Sequence, residues 1–176
     1  MNIANILTLV RIFLVPLFII SLGYNKPILA LIIFTIAGIT DALDGFIARR
    51  FKQETTLGKV LDPIADKSLL ISSFIFIYNS KLDVKFPYWF VIIAISRDIF
   101  ILLGSSIIYI IKGYLKVEPN IFGKVTTFFQ ILSIITVLLA NITYIPTILI
   151  QAIIFVTTAF TLISTFVYLQ QGLKQL

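Results

Sequence analysis

Long apolar runs, each ended by a turn signal or a charge, dominate this chain and leave room for little except helices that cross a bilayer. A hydrocarbon core about 30 Å thick needs roughly 20 apolar residues per helix. Six runs approach or meet that length, near 4–22, 27–48, 60–79, 86–111, 121–141 and 145–169. Composition agrees: the 176 residues are 59% hydrophobic and 12% charged, with a mean hydropathy of +1.07, well outside ordinary globular usage. The expected fold is all-α, a polytopic integral membrane protein with six transmembrane helices. The connections are short, so residues 1–176 are expected to form a single membrane domain.

The first run does not read as a cleavable signal, because no basic residue precedes it, Arg11 lies inside it and no A-x-A site follows. It is expected to stay as the first helix. Cysteine and histidine are both absent, which removes disulfides, thiolate ligands and the commonest general base. Acid–base or metal chemistry therefore falls to the eight carboxylates.

The net charge of +6 comes from basic residues scattered at helix ends, with no basic stripe interleaved with aromatic platforms, so no nucleic-acid partner is expected. Topology explains the pattern better. Arg49, Arg50, Lys52 and Lys59 flank the second connection, Lys112 and Lys116 the fourth, and Lys174 the C-terminus, while Lys26, Lys81 and Lys85 mark the other side. The positive-inside rule then puts both termini and connections two and four in the cytoplasm. Arg50, Lys52, Lys112 and Lys116 read as topology signals and anionic-lipid contacts, outside any site. Tyr24, Tyr88 and Trp89 fall at helix ends, as interfacial aromatics do.

One stretch breaks the apolar pattern: DALDGFIARRFKQETTLGKVLDPIAD, residues 41–66. The apolar part of the second run, Pro27 to Thr40, would be only about 21 Å long as a helix, too short to span. The helix must continue through DALDGFIA, which places Asp41 and Asp44 in the membrane near its cytoplasmic end. At 100° per residue, Asp41, Asp44, Gly45 and Ala48 share about a third of the circumference. Asp62 and Asp66, four apart, share a face of a helix expected to open after Gly58, with Pro63 in its first turn.

A connection of roughly ten residues would bring the two helix ends together and collect four carboxylates. Four anions in a low dielectric repel one another and protonate unless cations neutralise them. Oxygen-only ligands suit hard divalent ions, Mg²⁺ above all, with Mn²⁺ and Ca²⁺ possible, so a site for one ion or two is expected. Gly45 and Ala48 leave space for a flat or bulky ligand, and Arg49 offers a bidentate fork for phosphate. Metal, fork and cleared space together suggest a nucleotide diphosphate.

An ion pathway is the competing account of the quartet, but a transporter would show related repeats and helices broken near mid-membrane. A non-enzymatic scaffold has no use for four desolvated anions.

The pattern Asp41-x2-Asp44-Gly45-x2-Ala48-Arg49-x8-Gly58-x3-Asp62-x3-Asp66 resembles the signature of the CDP-alcohol phosphatidyltransferase family at all eight defined positions. The six-helix layout resembles that family too, so the likeness covers nearly the whole chain. It implies that a CDP-linked lipid gives its phosphatidyl group to an alcohol and releases CMP. Carried over residue by residue, Asp41, Asp44, Asp62 and Asp66 would ligate two Mg²⁺ or Mn²⁺ ions. Gly45, Ala48, Arg49 and Gly58 would shape the CDP site, and Asp66 would also be the general base. A homodimer in a bacterial inner membrane, with its site facing the cytoplasm, is likewise implied by the resemblance.

The acceptor is read from weaker signals. Asn5-x2-Thr8-x2-Arg11 resembles the start of bacterial members that use glycerol 3-phosphate, the favoured acceptor. Asn5 and Thr8 are weak candidates for the CDP-lipid site, helix capping or interhelical hydrogen bonding being their alternative role. A phosphorylated acceptor needs further cations, for which Arg11, Lys59, Arg97 and Lys124 are candidates; Lys124 could instead snorkel to the interface. SRDIF at 96–100 and GKVTTFFQ at 123–130 resemble members that accept phosphatidylglycerol and make cardiolipin, the alternative function. Arg97 and Asp98 could form a structural pair, although adjacent helical residues point about 100° apart and are not expected to face each other.

Overall fold

The computed structural model describes the backbone of residues 3–51, 56–112 and 121–173, and the side chains of 7–41, 67–104, 110 and 121–172. The described residues are all-helical. Six helices follow in order: α1 (Ile3–Gly23), α2 (Pro27–Phe51), α3 (Thr56–Asn79), α4 (Tyr88–Lys112), α5 (Ile121–Ala140) and α6 (Thr147–Leu173). Each expected apolar run is a helix, to within a few residues at either end. Two of them, α5 and α6, are long and apolar enough over their described residues to cross a membrane.

The helix ends have local causes. After α1 the chain turns through Asn25, whose φ of 54° is left-handed and better tolerated by asparagine than by most residues. The Lys26 N–H donates to Ser21 O at 2.9 Å and the Asn25 N–H to Leu22 O at 3.0 Å, a Schellman closure that satisfies the last carbonyls of α1. Pro27 then opens α2, where its missing N–H costs nothing. At the end of α5, the Asn141 side chain accepts from Val84 N at 3.0 Å and donates to Val84 O at 2.9 Å, tying the α3–α4 connection to the α5–α6 turn.

The chain divides into two compact units. The first holds Met1–Lys85 with Val137–Tyr144, the second Phe86–Thr136 with Ile145–Leu176. In the first, α1 packs on α2 and α3. The Phe18 and Phe34 rings meet at 5.9 Å and Arg11 reaches Asp41, so α1 and α2 run antiparallel. The buried stripe of α2 is Ala30, Ile33, Phe34 and Ala37. Continued at the helical period, it runs into positions 41, 44, 45 and 48. Asp62 and Asp66 of α3 continue in the same way the stripe of Leu69, Ser73 and Ile77, all buried.

In the second unit α4 lies parallel to α6, with Trp89 stacked on Phe155 and Arg97 bonded to Ser164. Here α5 runs antiparallel to α6: Thr126 Oγ1 lies 3.0 Å from Phe160 O and Thr157 Oγ1 3.2 Å from Phe129 O. Both hydroxyls also reach a carbonyl one turn back in their own helix, so each bridges its helix to the neighbour. Among the described residues, large apolar side chains form much of the surface and several charges are buried. Phe13, Leu17, Phe155, Phe166 and Ile110 are exposed, whereas Arg11, Arg97 and Asp98 are buried.

Candidate functional site

On α1, Thr8 and Arg11 lie three apart on the face turned inward, 1% and 0% exposed, while Phe13 on the opposite side is 72% exposed. Asn5 continues that face by helical spacing. Arg11 Nη1 is 2.8 Å from Asp41 Oδ1; the Arg11 side chain is fully buried and the Asp41 side chain 44% exposed. The first aspartate of the motif therefore meets a guanidinium from inside the helix bundle and stays open on its other side.

The helix does continue through DALDGFIA, as the short apolar run required, so Asp41, Asp44, Gly45, Ala48 and Arg49 all ride on α2. Gly58, Lys59, Asp62 and Asp66 ride on α3. The side chains of Asp44, Gly45, Ala48, Arg49, Gly58, Lys59, Asp62 and Asp66, and of Asn5, lie outside the described residues. Among the described residues no three carboxylates gather, Asp41 being the one member of the quartet whose side chain is described.

Two expectations about this stretch are corrected. Only 52–55 separate the two helices, where about ten residues were expected, because α3 starts at Thr56 and already contains Gly58. Pro63 is therefore the eighth residue of α3 and lies beyond its first turn. The helix carries the proline at the cost of one backbone bond.

The second unit holds the other candidates. Arg97, 4% exposed, donates from Nη1 to Asp98 Oδ1 at 2.7 Å and from Nη2 to Ser164 Oγ at 3.0 Å. Its guanidinium carbon stands 5.7 Å from the Tyr168 ring centroid. The expectation that neighbours 97 and 98 would not face each other is thus wrong. The long arginine stem bends back over the 100° separation to reach the short aspartate, which gives each buried charge a counter-charge. Lys124, in the first turn of α5, is exposed.

Ser164 and Tyr168 were not foreseen as partners of Arg97. Their signal is the polar series Thr157, Thr161, Ser164 and Tyr168 at helical spacing along one face of α6. On α5, Gln130 is fully buried and neither amide atom has a hydrogen-bond partner among the described residues.

Fold and sequence together define a class: an all-helical chain with paired aspartates at i, i+3 on one helix and i, i+4 on the next. The chain belongs to the CDP-alcohol phosphatidyltransferase family, whose model matches residues 1–165. It is similar to the CDP-diacylglycerol–glycerol-3-phosphate 3-phosphatidyltransferase of Aquifex aeolicus, 37% identical over 147 residues that cover 81% of this chain and 78% of that protein. The Bacillus subtilis protein of the same name is 34% identical over 158 residues, 81% of this chain and 79% of its own. That of Blochmanniella floridana is 38% identical over 144 residues, 78% and 73%.

Proposed function

We propose that this chain transfers the phosphatidyl group of CDP-diacylglycerol to glycerol 3-phosphate, forming phosphatidylglycerophosphate and releasing CMP, a step of phospholipid biosynthesis. The observation that carries the reading is the complete eight-residue acidic motif in a chain that aligns over about four fifths of its length with relatives bearing that name.

The donor set fits divalent metal: the motif offers oxygen ligands alone, and Asp41 is ionically held on one side and exposed on the other. Asp41, Asp44, Asp62 and Asp66 would hold two ions, Mg²⁺ or Mn²⁺, whose charge would neutralise the diphosphate and the departing CMP. Asp66 takes the proton of the acceptor hydroxyl as its oxygen attacks phosphorus and the bond to CMP breaks. Gly45, Ala48 and Gly58 leave room for the cytidine diphosphate and Arg49 clamps it, with Asn5 at its edge; Thr8, 1% exposed, is enclosed beside it. Lys59 supplies charge for the acceptor phosphate; in the second unit Arg97 already has Asp98, Ser164 and Tyr168 about it, and Lys124 is exposed.

All six helices span the membrane in this reading, and the whole chain acts as one catalytic domain in a homodimer. Exposed apolar faces on α1, α2, α4 and α6 support a bilayer surround. The donor's acyl chains stay in the lipid while its head group meets a soluble acceptor at the cytoplasmic surface of a bacterial inner membrane.

The deciding experiment measures CMP release from CDP-diacylglycerol by purified protein with Mg²⁺, offering glycerol 3-phosphate and phosphatidylglycerol separately. Release with glycerol 3-phosphate is expected; release with phosphatidylglycerol alone would overturn the acceptor and leave a cardiolipin-forming enzyme. Asp66→Asn should abolish turnover with glycerol 3-phosphate, and near-normal turnover would remove Asp66 as base. Arg49→Lys should raise the KM for CDP-diacylglycerol, since a point charge cannot replace the bidentate fork.

A further inference from the structure

Arg11 was expected among the acceptor's cations, but its position suggests a different task. Its side chain is fully buried between helices, and its Nη1 holds one oxygen of a carboxylate that remains nearly half exposed. The antiparallel register of α1 and α2, set deeper in the unit by Phe18 against Phe34, keeps positions 11 and 41 level. A guanidinium without water must keep its charged partner, so the Asp41 carboxylate is held in one orientation before any ligand arrives. Ligating carboxylates are themselves held by hydrogen-bonded neighbours, and losing such a neighbour typically weakens metal binding about 10–100-fold.

We propose that Arg11 is a positioning residue for the metal site: it orients Asp41 from inside the bundle and does not touch the acceptor. The proposal rests on the reading of Asp41 as a metal ligand. It differs from an acceptor role in what it predicts, because an orienting residue changes metal affinity, whereas an acceptor cation changes the KM for the phosphorylated alcohol.

The test is Mn²⁺ titration by electron paramagnetic resonance on the full chain in lipid nanodiscs without substrate, comparing the unaltered protein, Arg11→Met, Arg11→Lys, Asp41→Asn and the Arg11→Met/Asp41→Asn double variant. Arg11→Met should weaken Mn²⁺ binding about tenfold or more, with Arg11→Lys intermediate because it keeps the charge and loses the fork. On the Asp41→Asn background Arg11→Met should cost nothing further, and the KM for glycerol 3-phosphate at saturating Mn²⁺ should stay within about twofold in Arg11→Lys.

Unchanged Mn²⁺ affinity with a raised KM would overturn the proposal in favour of acceptor binding. If Arg11→Met does not fold, Arg11→Lys decides: natural Mn²⁺ affinity there would reduce Arg11 to a structural counter-charge and overturn the proposal. Unaltered Mn²⁺ binding by Asp41→Asn would be a different failure, that of the metal-ligand reading itself, and would remove the proposal's basis with it.

Discussion

Single residues show where charge is tolerated in this chain. Arg97 and Asp98 are 4% and 1% exposed and 2.7 Å apart, so each makes the other affordable in a setting that would penalise either alone. Arg97→Met should cost about 3–5 kcal/mol, because it strips the guanidinium from a buried carboxylate. Adding Asp98→Asn should return a large part of that loss, measured as recovery of the unfolding midpoint in mild detergent; no recovery would mean that Arg97 matters through Ser164 and Tyr168 instead. The sequence put both charges on an apolar helix, and there they are buried. It misjudged their pairing because helical angles describe where a side chain starts, and a long arginine can end elsewhere.

The helices were legible almost entirely, since apolar periodicity and length are properties of the chain itself. The displacement that bears on the site was the start of α3, where Gly58 and Pro63 looked like a boundary and the helix instead begins at Thr56. Pairing between elements was less visible. Against α6, Gly123 of α5 leaves no room for a side chain: an added Cβ would stand 2.6 Å from Tyr168 Oη, 3.1 Å from Cε2 and 3.3 Å from Cζ. Gly123→Ala should therefore destabilise the second unit by about 1–3 kcal/mol, forcing Tyr168 away from the Arg97 guanidinium. Tyr168→Phe in the same chain removes the closest atom and should restore part of the midpoint in thermal unfolding; the ring contact at 3.1 Å remains, so restoration should be incomplete.

At the scale of the whole molecule, the described residues carry many large apolar side chains on the surface while Arg11 and Arg97 are buried. In the proposed membrane setting a bilayer around the helices would account for that arrangement, and the basic residues near the second and fourth connections would set its direction. The chain has no cysteine, so single introduced thiols report topology without background. Asp83→Cys and Tyr144→Cys, both at exposed positions, should react with a membrane-impermeant maleimide on intact cells. Gln170→Cys, at the C-terminal end of α6, should react only after permeabilisation. The reverse pattern would invert the topology and place the motif on the wrong side for a cytoplasmic acceptor.

The sequence by itself determined the helices and the acidic motif, because hydrophobic length and the spacing of charged side chains on a helix are local, one-dimensional facts. It also carried the family, since eight fixed residues at fixed intervals need no coordinates to be read. Only the tertiary structure decided that Arg11 belongs to Asp41, that Arg97 is held by Asp98, Ser164 and Tyr168, and that Gly123 makes way for a tyrosine ring. Those assignments depend on helix register and on how far a flexible side chain reaches across to its neighbour, and both are set by packing between segments distant in the chain.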